Sequence, residues 1–143
     1  MAFTSAGIKD PKIGVEGKFS LWFLAALALA EGDVSLEKFT DERVNDPRLA
    51  ALRGRVNAHL VRELKLGARV AVKMNDGRTY EAFRASPKGS PDNPLGFEEI
   101  GAKFHSAAKK AISQPQIEDL IERIENLESQ PDMADFVRLT QPQ

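Results

Sequence analysis

The chain contains no cysteine. Disulfides, thiolate nucleophiles and cysteine-based zinc sites are therefore excluded. The absence agrees with a reducing compartment, and cytoplasmic localisation is the expectation. Histidine is nearly as scarce, with only His59 and His105. A zinc centre needs about three or four ligands, one pair of them usually close in sequence, and these two histidines are far apart. No metal and no cofactor is expected. His105 is read as a solvated or interfacial helix side chain. No Gly-x-Ser-x-Gly stretch is present, so an elbow-type serine nucleophile is excluded as well. Charge of one sign is also lacking: 20 basic residues meet 21 acidic ones, for a formal net charge of -1. Nothing in that balance draws the chain to nucleic acid or to an anionic membrane. The longest uncharged apolar run, residues 21–30, is short of the roughly 20 residues a membrane span needs. The start, MAFTSAGIKD, lacks the basic and apolar regions of a signal peptide. A chain without export and without membrane contact is expected.

What is present is ordinary globular composition. Of 143 residues, 42% are hydrophobic and 29% charged. That places the chain among folded domains of one core, with room for an appended subdomain. Residues 1–13 show no period and read as a loose leading segment with room for one short extended piece. Phe19 to Ala30 reads as a helix, rich in Ala and Leu, with Ser20 as N-cap and Gly32 as the left-handed C-terminal residue. It is apolar on every side, and such a helix is normally covered on every side. Ser35 opens a short helical turn with Leu36 and Phe39. Asn45-Asp46-Pro47 starts another helix, with Asp46 as cap. Its apolar positions are Leu49, Leu52 and Val56, and Gly54 weakens its end.

Residues 56–63 alternate between apolar and polar, which predicts a strand. The hairpin that follows has the strongest local signal. Two β-prone runs meet at Asn75-Asp76-Gly77, residues that tolerate positive φ. Val70, Val72 and Met74 share one face; Arg69, Ala71 and Lys73 share the other. Residues 86–96 hold three Pro and two Gly and form a loop. Phe97 to Ile112 is an amphipathic helix with a stripe of Phe97, Ile100, Phe104, Ala107, Ala108 and Ala111. Pro115 begins another, whose stripe is Ile117, Leu120, Ile121, Ile124 and Leu127. Its opposite face carries Glu118, Glu122, Arg123 and Glu125. Asp132 to Leu139 forms a short last helix, and 140–143 a frayed tail. The fold class is α+β: a small antiparallel sheet of two to four strands, with a β-hairpin at 68–85, covered by helices from both the N- and C-terminal parts. The chain is read as one such domain, 1–143.

Chemistry-bearing clusters are few. Glu98-Glu99 and Glu118-Asp119 are sequence neighbours and point apart on a helix. Lys88-Gly89-Ser90 resembles part of a Walker loop but lacks the leading glycine, so a proline-stiffened surface loop is the reading, with Lys88 a weak anion contact. Lys103, Lys109 and Lys110 form a small basic spot without stacking aromatics, read as a solvated face. That leaves Glu16, Lys18 and Ser20 before the apolar helix. A lysine there suits a carboxylate ligand, because a helix N-terminus favours anions. The plainer reading of the same residues is a Lys18–Glu16 surface pair followed by a capping serine, and spacing alone favours it.

Three ordered stretches carry a family resemblance. They are GVEGKFSLWFLAALALAEGDVSLEKFTDERVNDP (14–47), VAVKMNDGRTYE (70–81) and SPKGSPDNPLGFEEIGAKF (86–104). Together they resemble the C-terminal domain of the MmgE/PrpD family, which includes 2-methylcitrate dehydratase, cis-aconitate decarboxylase and iminodisuccinate epimerase. The similarity runs from about Gly14 to about Leu139. The resemblance implies a small α+β lid that closes a cleft against a large all-helical domain holding most acid–base residues. It implies action on small di- or tricarboxylates by proton removal next to a carboxylate. It implies a homodimer and a chain inactive without its helical partner. Glu16, Lys18 and Ser20 match a Glu-x-Lys-Phe-Ser stretch bordering that cleft, so all three are expected to line it. Other branches have Arg-His or Asp-His in place of Lys18-Phe19, so the resemblance gives Lys18 no role as a shared base, and no residue here is expected to be catalytic. Gly96 stands where a Ser or Thr cap is common. The alternative is a non-catalytic interaction or oligomerisation module that keeps the fold.

Overall fold

Residues 5–141 are described by a computed structural model of the chain. Met1–Lys65 and Leu66–Gln143 form two compact units. The N-terminal unit is helical: α1 (Gly14–Gly17), α2 (Leu21–Glu31), α3 (Asp41–Val44) and α4 (Pro47–Arg53), with a 3-10 turn at Leu36–Lys38. The C-terminal unit holds β1 (Ala68–Lys73), β2 (Thr79–Arg84), α5 (Phe97–Ala108), α6 (Gln114–Glu125) and α7 (Met133–Arg138). The α+β class is as expected.

The punctuation behaves as its chemistry dictates. Ser20 Oγ accepts from Phe23 N at 3.1 Å and caps α2. Gly32 ends that helix at φ 68°. Asp46 Oδ1 accepts from Arg48 N at 2.8 Å, beside Pro47, and starts α4. Asp132 Oδ1 accepts from Ala134 N at 2.7 Å and starts α7. Each such cap is worth about 1 kcal/mol. Gly96 has no side chain to offer, and Glu99 reaches back instead, its carboxylate accepting from Gly96 N at 3.1 Å. The helix that sequence extends to Ile112 stops at Ala108, where turn hydrogen bonds from Ala111 N and Ile112 N to Ala108 O take over.

α2 supplies the core of the N-terminal unit. Phe23 and Leu27 are fully buried and cluster with Val44 of α3 and Leu49 of α4. Phe39 packs on them, its ring edge-on to Phe23 at 6.2 Å. The far end of α2 is different: Ala28, Leu29 and Ala30 are exposed, Leu29 to 50%. An ion-pair cluster closes this end, with Glu31 holding Lys38 at 2.7 Å and also Arg43. Arg43 in turn reaches Asp46 at 3.3 Å.

β1 and β2 pair antiparallel from Ala68↔Arg84 to Lys73↔Thr79. The turn lies where Asn75-Asp76-Gly77 places it: Gly77 takes φ 88°, a conformation that a Cβ would strain. Asp76 Oδ1 accepts from Arg78 N at 3.0 Å and fixes the turn. One expectation fails. Residues 56–61 form no strand, and a 3-10 turn, Arg62–Leu64, follows them. Alternation makes a segment compatible with a sheet, but a strand exists only where a neighbour accepts its hydrogen bonds. Here β1 and β2 pair only with each other. Every residue of the two strands is exposed except half-buried Val72.

Candidate functional site

The segment before α2 is held by its own backbone. Gly7 and Ser20 form an isolated antiparallel bridge, the short extended piece expected in the leading segment. Around it, Ile8 N donates to Phe19 O and Leu21 N donates to Ala6 O, both at 3.1 Å. Gly14 N donates to Asp41 Oδ1 at 2.7 Å. Asn45 Nδ2 donates to Lys12 O at 2.9 Å. Arg53 reaches Asp10 at 2.6 Å. The Asp10 carboxyl titrates below the usual aspartate range, first because Lys12 donates a hydrogen bond to it and then because of Arg53. Residues 10–20 are thus stapled to α3 and α4 by contacts distant in sequence.

Three predicted site residues sit in this segment, with different fates. Ser20 is fully buried, and its hydroxyl is spent on the cap. Glu16 is half-buried, its Oε2 accepting from Lys12 N at 2.6 Å. Lys18 is exposed, and its Nζ lies 5.9 Å from the centre of the Phe39 ring. A cation at that distance is attracted by the ring quadrupole, worth about 0.5–1 kcal/mol at an exposed site. The first-turn donors of α2 are largely committed: Leu21 N to Ala6 O, Phe23 N to Ser20 Oγ and Leu24 N to Ser20 O. An anion at this corner therefore meets the Lys18 ammonium rather than a row of open backbone N–H groups. Phe39 and Asp41 complete the corner. Their contacts form only when the chain doubles back, and no local spacing announces them.

Lys88 lies in the other unit. It is exposed and ion-paired with Glu99 of α5. The Glu99 carboxyl is held below the usual glutamate range, chiefly by Lys88 and next by Gly96 N. A depressed carboxyl pKa means the bond contributes above the unfolded-state value and is lost as pH falls through the folded one. The Lys88–Glu99 pair therefore contributes at neutral pH and is lost as the Glu99 carboxyl protonates in acid. In Lys88→Ala, the Glu99 titration midpoint followed by NMR is expected to move up towards the ordinary glutamate range. An unmoved midpoint would show that Gly96 alone sets it.

Among the described residues, no group of three or more His, Asp or Glu is placed to hold a metal ion. None of their helices is long and apolar enough to cross a membrane. The corner offers one exposed cation over an aromatic ring, with its neighbouring carboxylate already engaged. That arrangement has no unengaged base beside the cation, so it does not by itself move a proton. As a class, this is a small α+β domain.

Residues 2–129 match the MmgE/PrpD C-terminal domain, and the chain belongs to this family. Among curated proteins it is 25% identical over 134 residues to a cis-aconitate decarboxylase-like protein of Aspergillus oryzae, covering 90% of this chain and 28% of that protein. It is 25% identical over 129 residues to cis-aconitate decarboxylase of Mus musculus, covering 87% and 26% of the two chains. To the Homo sapiens cis-aconitate decarboxylase it is 26% identical over 124 residues, covering 83% and 26%. The chain spans about a quarter of the length of these relatives.

Proposed function

We propose that this chain is the lid of a two-part lyase acting on small di- or tricarboxylates, of the 2-methylcitrate dehydratase or cis-aconitate decarboxylase kind. It shapes one wall of a cleft whose reactive groups belong to a helical partner, and it is inactive alone. The observation that carries the reading is the match to a C-terminal domain over nearly the whole chain, at about a quarter of the relatives' length. The exposed apolar end of α2 supports it, since a helix apolar all round calls for cover beyond its own unit. In this reading Lys18 binds a substrate carboxylate, Glu16 borders the cleft, and Ser20 acts only by holding α2.

The test is to assay the purified chain on cis-aconitate and 2-methylcitrate, alone and after adding the helical part of a family member. Turnover is expected only in the mixture. Turnover by the chain alone would overturn the proposal. A stable complex with no turnover would favour a non-catalytic interaction module. In the active mixture, Lys18→Ala is expected to raise KM about tenfold, a loss of about 1.4 kcal/mol of binding. Its effect on folding should stay within about 1 kcal/mol, the scale of an exposed cation–ring contact. An unfolded variant with unchanged KM would make the lysine structural.

A further inference from the structure

α5 and α6 run antiparallel: Gly101 faces Ile121, and His105 Nε2 meets Gln114 Oε1 at 2.6 Å. Between them lies an open groove of about 340 Å³. Its floor is apolar, formed by Phe97, Gly101, Ala102 and Ile121. At Gly101 a Cβ would make only an ordinary contact, 3.9 Å from Ile121 Cδ1, so the floor there has room for a side chain. The charged side chains of the lining are both acidic: Glu98 from α5 and Glu125 from α6. The neighbouring carboxylate Glu99 is engaged by Lys88, and Asp119 by Arg123 at 2.9 Å. Glu98 and Glu125 therefore give the rim of the groove a negative character.

We propose that this groove docks a cationic amphipathic helix of a partner protein, one large apolar side chain filling the floor and flanking Lys or Arg meeting Glu98 and Glu125. The groove between two antiparallel helices is where the ridge of a third helix packs. An apolar side chain seated there leaves water for an apolar floor, which supplies the driving force. The two carboxylates select against anionic helices, because like charges at a docking rim are strongly disfavoured. A second copy of this chain is the rival occupant. This docking stands apart from the lid reading, because it needs no substrate and no turnover.

The test titrates the full chain with a fluorescent helical peptide bearing a Leu stripe and a Lys face. Controls are a scrambled isomer without the stripe and a Leu/Glu counterpart. Saturable binding of the Leu/Lys helix is expected with Kd on the order of 10–100 µM, with the scrambled isomer at least about tenfold weaker. Glu98→Lys with Glu125→Lys should lose about tenfold for the Leu/Lys helix and gain affinity for the Leu/Glu one. Gly101→Leu, which fills the floor, should weaken binding of the Leu/Lys helix. If that variant fails to fold by circular dichroism, the exposed charge reversals still decide the matter. Equal binding of the scrambled isomer, or indifference to the charge reversals, would overturn the proposal. So would self-association abolished by the same substitutions, which would assign the groove to a second copy.

Discussion

Gly14→Ala is expected to destabilise the N-terminal unit by about 3 kcal/mol, the upper part of the usual range for overpacking. The reason is local and steric. A Cβ at position 14 would run into the Phe39 carbonyl oxygen, would lie 2.8 Å from its carbon, and would come within 3.0 Å of the Thr40 carbonyl carbon. All three are backbone atoms, which cannot rotate away as a side chain could. Relief requires α1 to back off from the 39–41 segment, and that breaks the bond from Gly14 N to Asp41 Oδ1. Loss of that bond leaves the buried Gly14 N–H without its acceptor, which adds to the cost. The chain's single tryptophan, Trp22, is 7% exposed at the start of α2, so its fluorescence during urea unfolding reports this unit. The midpoint should fall sharply. A variant within about 0.5 kcal/mol of wild type, as for an ordinary surface change, would mean that α1 does not approach residues 39 and 40 as described.

Phe23→Ala is expected to cost about 4 kcal/mol, as core truncations of large aromatics do. Phe23 is fully buried, and its truncation removes contacts with Leu27, Val44 and Leu49 as well as the edge-on contact with Phe39. Against a typical total of about 5–15 kcal/mol, that loss leaves the unit marginal. Phe19 provides the contrast. It stands next to the same helix and is equally apolar, but it is 49% exposed. Phe19→Ala should cost less than about 1 kcal/mol in the isolated chain, since burial rather than residue type sets the cost. Equal losses at the two positions would contradict the core described above. In the mixture with a helical partner, a larger loss at Phe19 would mark it as an interface residue.

These two phenylalanines also show where reading the sequence reached its limit. The stretch from Phe19 to Ala30 announces a helix through its Ala and Leu content, its Ser20 cap and its Gly32 stop. All three signals are local, acting within one or two turns of backbone, so the sequence carries them in full. The same holds for Asp46-Pro47 at α4, Asn75-Asp76-Gly77 at the hairpin and Asp132 at α7. The family, too, was legible, because three ordered stretches carry it and residues 2–129 match it.

What the sequence by itself determined, then, is the set of elements, the turns between most of them and the family. Two short helices escaped it: α1 and α3 have four residues each, too few for a hydrophobic period. The tertiary structure alone decided three further things. It gave Lys18 a place over Phe39 and gave Glu16 to Lys12, where spacing alone favoured a Lys18–Glu16 pair. It buried the polar cap Ser20 while leaving the apolar Leu29 of the same helix in solvent. It left residues 56–61 without a strand. The physical reason is common to all three. A cap or a turn is settled by a few neighbouring dihedrals, whereas burial, ring contacts and strand pairing depend on which distant residue arrives, and that is fixed only when the chain has closed on itself.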